Sequence, residues 1–284
     1  MRQNERTRTV PLVADRRLTY TEYGSSSGSP VIFLHGTPGS RRLAALFDSI
    51  AEDCGVRLLA FDRPGYGRSS PWPTRSVRDG AQSIGAVLDD ADVDSAGAVA
   101  FSGGSSYALA AAATRPDRID RVDVVSGAVP PDVTETDPTI QRVLRGMAKT
   151  TPLLLRGLFR GQAWLARRRD PSFVVSQYTS GDAGEAVPDR AAEIVRADFV
   201  EALSRHRRGV VTEFRHASTD WNVPLAEIEA DVRLWHGAKD TNVPIAAARR
   251  FESALPTAQL RVLDDADHLR TLLASVPEIL EATV

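Results

Sequence analysis

Residues 100–107 read AFSGGSSY and contain three serines within five positions, Ser102, Ser105 and Ser106. The apolar run at 97–101 precedes the turn and an alanine-rich run follows it, which predicts a strand, a sharp turn and a helix. A turn of this kind strains its middle residue and needs small residues two positions before and after it. Ser102 has Ala100 and Gly104 at those positions, so Ser102 is the candidate nucleophile.

Two neighbouring serines compete with Ser102 for that role. Ser105 has the large Tyr107 two positions after it, and Ser106 has small flanks but lies further into the predicted helix. We expect both to begin the helix, where their hydroxyls can accept from free backbone N–H groups. The small-residue pattern alone is equally typical of an ordinary turn, so the rest of the chain must decide.

Strand-length apolar runs alternate with helical patterns along most of the chain. Runs at 31–35, 57–61, 97–101, 121–125, 232–236 and 260–263 predict strands, and spacing at 77–88, 107–115, 245–255 and 269–280 predicts helices. This alternation predicts an α/β fold, with a mostly parallel central sheet covered by helices on both faces. The segments 9–13 and 18–24 predict an antiparallel pair at the sheet edge.

The alternation stops between about residues 131 and 225. This segment opens with the turn-rich PPDVTETDP at 130–138, and it then predicts several helices, including 139–149, 151–169 and 187–209. We therefore expect a core domain formed by 1–130 and 226–284. A helical cap, or lid, is expected at 131–225, inserted before the strand predicted at 232–236.

The cap segment has an unusual charge distribution. Residues 142–169 contain eight basic residues and no acid, interleaved with large apolar side chains. One reading is a solvated basic face over an apolar one; the other is a surface that attracts an anionic substrate or membrane headgroups. Four aromatic residues of the cap are candidates either to line a substrate pocket or to form the cap core: Phe159, Trp164, Phe173 and Trp221.

Composition excludes several classes of protein. The net charge of −2 gives no basic surplus for nucleic acid, and one cysteine excludes an internal disulfide framework or a thiolate-rich metal site. The first residues are polar and no run approaches 18 apolar residues, so we expect neither a signal peptide nor a membrane span. A cytoplasmic setting follows as the expectation, and the sequence leaves monomer and homodimer open.

A serine nucleophile needs a base, and a histidine base needs an orienting carboxylate. His268 follows the last predicted strand, where an open α/β sheet places its site. Asp264, Asp265 and Asp267 are close to it in sequence, but adjacent positions rarely let a carboxylate face the imidazole N–H. We therefore prefer Asp240, in the loop after the strand at 232–236.

Donors for a developing oxyanion are expected in LHGTPGS at 34–40. The N–H of Thr37 can pair with the N–H of Gly103, the residue after the nucleophile, whereas Pro38 has no N–H. His35 and Gly36 are expected to support this loop rather than to perform chemistry.

Five motifs in this order resemble the α/β-hydrolase superfamily over nearly the whole chain: HGTPG at 35–39, FDRPGYGRS at 61–69, AFSGGSSYALA at 100–110, HGAKDTNVP at 236–244 and DADH at 265–268. The resemblance implies Ser102 as nucleophile, Asp240 as acid, His268 as base and Thr37 with Gly103 as oxyanion donors, while Asp62 belongs to a structural turn. Proline iminopeptidases of this superfamily have a Gly-Gly pair after the early histidine and a tryptophan after the nucleophile, and this chain has neither.

The leading hypothesis is a serine hydrolase without cofactor or metal, acting on a carboxylic ester or lactone of a small molecule. A serine at the nucleophile position argues against the dehalogenases and epoxide hydrolases of the superfamily, which use aspartate there. Two alternatives remain: a lyase, cofactor-free oxygenase or acyltransferase with the same triad, and a ligand-binding protein on a hydrolase scaffold.

Overall fold

The computed structural model describes residues 6–133, 138–181 and 186–283. Part of the turn-rich entry predicted at 130–138 therefore lies outside the described residues. Eight strands form one sheet: β1 Thr7–Leu12, β2 Arg16–Gly24, β3 Ser29–Leu34, β4 Val56–Phe61, β5 Gly97–Phe101, β6 Arg121–Val125, β7 Asp231–Gly237 and β8 Gln259–Leu263. The ten α-helices of the described residues are α1 Asp48–Asp53, α2 Gly80–Asp90, α3 Ser105–Thr114, α4 Thr139–Thr150, α5 Pro152–Ala166, α6 Ser172–Val175, α7 Asp189–Ala202, α8 Arg208–His216, α9 Ile245–Ala254 and α10 His268–Glu281.

The sheet order is β1-β2-β4-β3-β5-β6-β7-β8. β1 and β2 pair antiparallel at one edge, β2 also runs antiparallel to β4, and the remaining pairs are parallel. The predicted fold class, strands and edge hairpin are confirmed. Because the carboxyl ends of β3, β5, β7 and β8 share one edge, the loops that follow these strands converge there.

Each parallel strand is buried on both faces, which is why it reads as a continuous apolar run. In β3, Ile32 and Leu34 join the hydrophobic cluster that includes α2, α3 and α9. Val31 and Phe33 alternate with them and join the cluster on the other face. That second cluster also contains side chains of α1, α10 and the helices that follow β6.

Helices α4 to α8 lie between β6 and β7, as the interrupted alternation predicts; we call them the inserted helices. The single helix predicted at 187–209 is wrong, because α7 ends at Ala202 and α8 begins at Arg208. The turn after β4 contacts the chain on both sides of this break: the Gly67 N–H donates to the Ala202 carbonyl, and the Gly209 N–H donates to the Gly65 carbonyl. These contacts lie far apart in sequence, so local periodicity does not show them.

Candidate active site

The turn after β5 holds Ser102 in a strained backbone conformation. Ser102 has φ of +51°, in the left-handed region that few side chains adopt. The chain is crowded at this point, since a Cβ on Gly104 would lie 2.8 Å from the carbonyl oxygens of both Leu34 and His35. The structure thus explains why the position two after Ser102 must be small.

Ser105 and Ser106 begin α3, as predicted, but their hydroxyls act differently from the expectation. The Ser105 hydroxyl donates to the carbonyls of Ser102 and Ala128, at 2.8 and 2.9 Å. The Ser106 hydroxyl donates to the carbonyl of Gly103 at 3.3 Å. Both therefore donate to carbonyls of the turn rather than accept from backbone N–H groups.

Asp240 and His268 meet at the same edge of the sheet. His268 Nδ1 lies 2.7 Å from Asp240 Oδ2, while Asp240 Oδ1 accepts from the N–H groups of Asn242 and Val243, at 2.8 and 2.9 Å. His236 adds its ring nitrogen 3.5 Å from the same carboxylate. Because Asp240 can only accept at this hydrogen bond, the His268 Nδ1 carries the proton and its Nε2 is left as a basic atom.

Burial works to raise the pKa of Asp240, but the pKa is lowered overall. The attraction and hydrogen bond of His268, followed by His236 and the Val243 N–H, outweigh the burial. The carboxylate is therefore held ionised beside the imidazole, as an orienting group requires.

The other acids near His268 have separate structural tasks. Asp267 caps the N-terminus of α10 by accepting from the Arg270 N–H at 2.9 Å, and it also accepts from the Ser180 N–H. Asp265 is exposed and pairs with Lys239. The structure thus brings together Asp240 and His268 and leaves these neighbours elsewhere.

The loop after β3 lies against the Ser102 turn. A Cβ on Gly103 would meet the Thr37 side chain and lie 3.6 Å from the Thr37 amide nitrogen, so the two proposed donors are neighbours. Within the described part of the chain, the Thr37 N–H has no hydrogen-bond partner. His35 is fully buried and accepts from the Arg63 N–H through Nε2, which fixes the loop to the turn after β4. Gly36 carries the carbonyl that faces His35 Nδ1 at 2.8 Å.

A buried ion cluster, which the sequence does not reveal, connects this loop to the inserted helices. Glu213 of α8 accepts from the Thr37 hydroxyl at 2.5 Å, from two nitrogens of Arg63 at 2.8 and 2.9 Å, from Arg75 at 2.8 Å and from the Tyr66 hydroxyl at 3.0 Å. The Arg63 guanidinium also donates to the carbonyls of the loop residues 35 and 36.

Burial alone would raise the pKa of Glu213. The charge and hydrogen bonds of Arg63, with the charge of Arg75 and the Thr37 hydrogen bond, instead hold that pKa far below its ordinary value. Glu213 is therefore an anion that links α8 to the loop carrying the proposed oxyanion donor.

A cavity of about 620 Å³ opens over these groups and is lined by Ser102, Thr37, Gly103, Glu213 and His268. Its other walls expose more apolar than polar surface. Four of these apolar and aromatic residues lie on the inserted helices, Leu144, Phe159, Phe173 and Phe214, and the others lie between elements: Val129, Tyr178, Trp221 and Val243. Three of the four aromatic candidates, Phe159, Phe173 and Trp221, thus line the cavity. Trp164 is wrong as a candidate on both readings, because it lies outside the cavity with 54% of its surface exposed.

Within residues 6–133, 138–181 and 186–283, no three His, Cys, Asp or Glu side chains are grouped to hold a metal ion. No helix of the same ranges has both the length and the apolar character needed to cross a membrane.

A family model described as alpha/beta hydrolase fold matches residues 29–272. The chain belongs to the α/β-hydrolase family. The match extends from β3 to α10 and therefore includes every loop at the proposed site.

Several named enzymes are similar in sequence. A 2-hydroxy-6-oxononadienedioate/2-hydroxy-6-oxononatrienedioate hydrolase of Cupriavidus pinatubonensis is 26% identical over 84% of this chain and 80% of its own length. A non-heme chloroperoxidase of Streptomyces lividans is 28% identical over 96% of both chains.

Solved structures show the same fold. A bromoperoxidase from Bacillus anthracis has a TM-score of 0.76 at 19% identity and covers 98% of this chain and 99% of its own. An esterase from Exiguobacterium antarcticum has a TM-score of 0.70 at 17% identity, covering 96% and 98%.

Proposed function

We propose that this α/β-hydrolase is a serine hydrolase that cleaves a carboxylic ester or lactone of a small molecule through an acyl-enzyme on Ser102. The observation that carries the proposal is the 2.7 Å hydrogen bond between Asp240 and His268, where His268 lines the same cavity as Ser102, a serine held at positive φ. In the reaction, His268 Nε2 takes the proton of the Ser102 hydroxyl as the oxygen attacks the ester carbonyl.

The N–H groups of Thr37 and Gly103 then hold the oxyanion. His268 returns its proton to the leaving alcohol oxygen, which departs from an ester and stays attached to the acyl group of a lactone. Water that gives its proton to His268 attacks the acyl-enzyme, and the acid leaves as Ser102 recovers its proton. Asp240 keeps the imidazole in the required tautomer and stabilises the imidazolium formed in both steps.

The proposal includes the division of the chain and its setting. Residues 1–130 and 226–284 form the catalytic core, and 131–225 form the cap that shapes the substrate cavity. An apolar and aromatic cavity of this size suits a small ester with an apolar acyl or alcohol part. A cytoplasmic setting agrees with a chain that has one cysteine.

Replacement of Ser102 tests the reaction directly. Ser102→Ala is expected to lower turnover of p-nitrophenyl esters of graded acyl length by about 10⁴-fold or more. Ser275→Ala is the matched control, because Ser275 is buried in α10, outside the cavity, and its hydroxyl has no hydrogen-bond partner in the described residues. Normal ester turnover by Ser102→Ala would overturn the proposal.

Peroxidase activity is the second candidate, favoured by the similarity to the chloroperoxidase over 96% of both chains. Hydrogen peroxide in place of water in the second step would release a peracid from the acyl-enzyme. Halogenation of monochlorodimedone with peroxide, acetate and bromide measures this activity. Halogenation faster than ester hydrolysis, and lost in Ser102→Ala, would favour the peroxidase.

A further inference from the structure

The inserted helices carry an unusual amount of exposed apolar surface. Among the described residues, six of the seven large hydrophobic side chains that are exposed lie on α4 and α5: Ile140, Val143, Leu153, Leu154, Leu158 and Trp164. Leu153 is 75% exposed and Leu154 is 63% exposed. Scattered apolar residues are normal on a surface, but a concentration on one pair of helices indicates an interaction site. We call these six residues the outer apolar face.

An arginine cluster flanks the outer apolar face. Arg156, Arg160 and Arg167 follow one another at helical spacing along one side of α5 and the residue just after it. Arg207 joins them from the turn between α7 and α8, which both pack against α5. These four residues are the arginine cluster.

Among the residues that the structure describes, no carboxylate pairs with the arginine cluster. In the described ranges, none of its four members forms an ion pair with a carboxylate, and the Nε atoms of Arg156 and Arg207 are buried without a hydrogen-bond partner. Burial, followed by repulsion from Arg160, Arg167 and Arg156, lowers the pKa of Arg207, which shows that the cations crowd one another. An anion bound at this point would relieve that repulsion.

The charge of this segment contrasts with that of the chain. Residues 142–169 hold eight basic residues and no acid, although the net charge of the whole chain is −2. Positive charge is therefore concentrated on the helices that also carry the outer apolar face.

We propose that the outer apolar face and the arginine cluster dock together on an anionic phospholipid surface. The apolar side chains enter the boundary between headgroups and acyl chains, while the arginines contact lipid phosphates. Trp164 lies under the guanidinium of Arg168, 4.2 Å from the ring centroid, and a tryptophan beside a cation suits the headgroup level.

The docked face would reach the mouth of the cavity. Ile140 is 71% exposed and also lines the cavity, together with Pro138 and Gln141. Apolar molecules dissolved in the lipid would therefore enter without crossing water. A symmetric dimer through this face is disfavoured, because it would bring the uncompensated arginine clusters of two copies together.

Vesicle co-sedimentation of the full chain tests the docking. Wild-type protein is expected to bind vesicles of phosphatidylglycerol and phosphatidylcholine at 3:7, and to bind pure phosphatidylcholine far more weakly. Loss of each arginine costs about fivefold near an anionic surface, so Arg160→Gln/Arg167→Gln/Arg207→Gln should weaken binding on the order of 100-fold. Raising the salt concentration should weaken wild-type binding as well.

A second variant, Leu153→Ser/Leu154→Ser/Trp164→Ser, removes apolar contact and should also weaken binding strongly. Matched controls lie outside the inserted helices: Arg78→Gln/Arg249→Gln changes two exposed arginines, and Val13→Ser changes the seventh of the exposed large hydrophobic residues that the structure describes. Each control should bind as wild type does.

The inference does not depend on the proposed reaction, because binding is read without turnover; Ser102→Ala should bind vesicles as wild type does. All variants of the face should melt and hydrolyse p-nitrophenyl acetate in vesicle-free buffer as wild type does, which shows that they fold.

Equal wild-type binding to both vesicles, no binding at all, or full binding by either face variant would overturn the docking. A dimer in sedimentation velocity that the leucine and tryptophan changes dissociate, without vesicle binding, would assign the face to a second copy.

Discussion

Replacing Glu213 by glutamine measures how strongly the inserted helices hold the oxyanion loop. The Glu213 carboxylate accepts five hydrogen bonds, from Thr37, Arg63, Tyr66 and Arg75. A glutamine keeps the volume, but its amide nitrogen cannot accept, so at least two donors lose their acceptor whichever oxygen it replaces. Both arginines also lose their counter-charge.

The magnitude follows from the burial of the cluster. Removing one partner of a buried ion pair costs about 3–5 kcal/mol. At about 2–4 °C for each kcal/mol in a chain of roughly this size, the melting temperature should fall by about 10 °C. The change also removes the hydrogen bond from the Thr37 hydroxyl that positions the loop and its N–H. We therefore expect kcat to fall about 10- to 100-fold, with a smaller change in KM.

Thermal melting tests the expected fall in melting temperature, and ester kinetics at 20 °C test the expected fall in kcat. Glu201→Gln is the matched control, because Glu201 also lies on an inserted helix and pairs with Arg41, which retains Asp62 as a partner. Its melting temperature should fall by less than that of Glu213→Gln, because Arg41 keeps Asp62 and the other partner of Glu201, Arg68, is 39% exposed. A Glu213→Gln protein that melts and turns over like Glu201→Gln would refute the reasoning.

Three further changes test single contacts. Asp240→Asn should lower kcat by about 10³–10⁴-fold through the wrong His268 tautomer, while Asp265→Asn, a change of an exposed acid, should leave it unaltered; equal losses would contradict the assignment. Burial raises the pKa of Asp198 to about 7, above the unfolded value near 4, so the stability conferred by its protonated form is lost as pH rises from about 4 to 7. Asp198→Asn should remove this loss of stability between about pH 4 and 7. Denaturant melts in which both proteins show equal pH dependence would contradict the role given to Asp198. Gly104→Ala places a methyl group 2.8 Å from two carbonyl oxygens and should destabilise the fold by about 1–3 kcal/mol, which a melt as high as that of wild type would contradict.

Local patterns predict the sheet and the turn at Ser102 because local forces determine them. A strand buried on both faces must be apolar throughout, and a strained turn must have small flanks. The preference for Asp240 over its rivals near His268 also rests on a local argument, and the structure places Asp240 Oδ2 2.7 Å from His268 Nδ1.

The contacts of Glu213 could not be predicted, because it reaches Thr37 and Arg63 across 176 and 150 positions. Its own helix shows only amphipathic spacing, which does not distinguish a buried ion cluster from a solvated face. The exposure of Trp164 was missed for a related reason. Its helix buries one side and leaves a second apolar side open, and periodicity alone cannot say which apolar residues meet the core.

The most direct test of the central claim is to find which residue carries the acyl group. The protein is mixed with p-nitrophenyl acetate, quenched in acid within milliseconds and digested, and the acetylated peptide is sequenced by mass spectrometry. The account predicts acetyl on Ser102 alone, at a level that His268→Ala strongly reduces. Acetyl on Ser105 or Ser106, or rapid turnover with no acetyl on any serine, would contradict it.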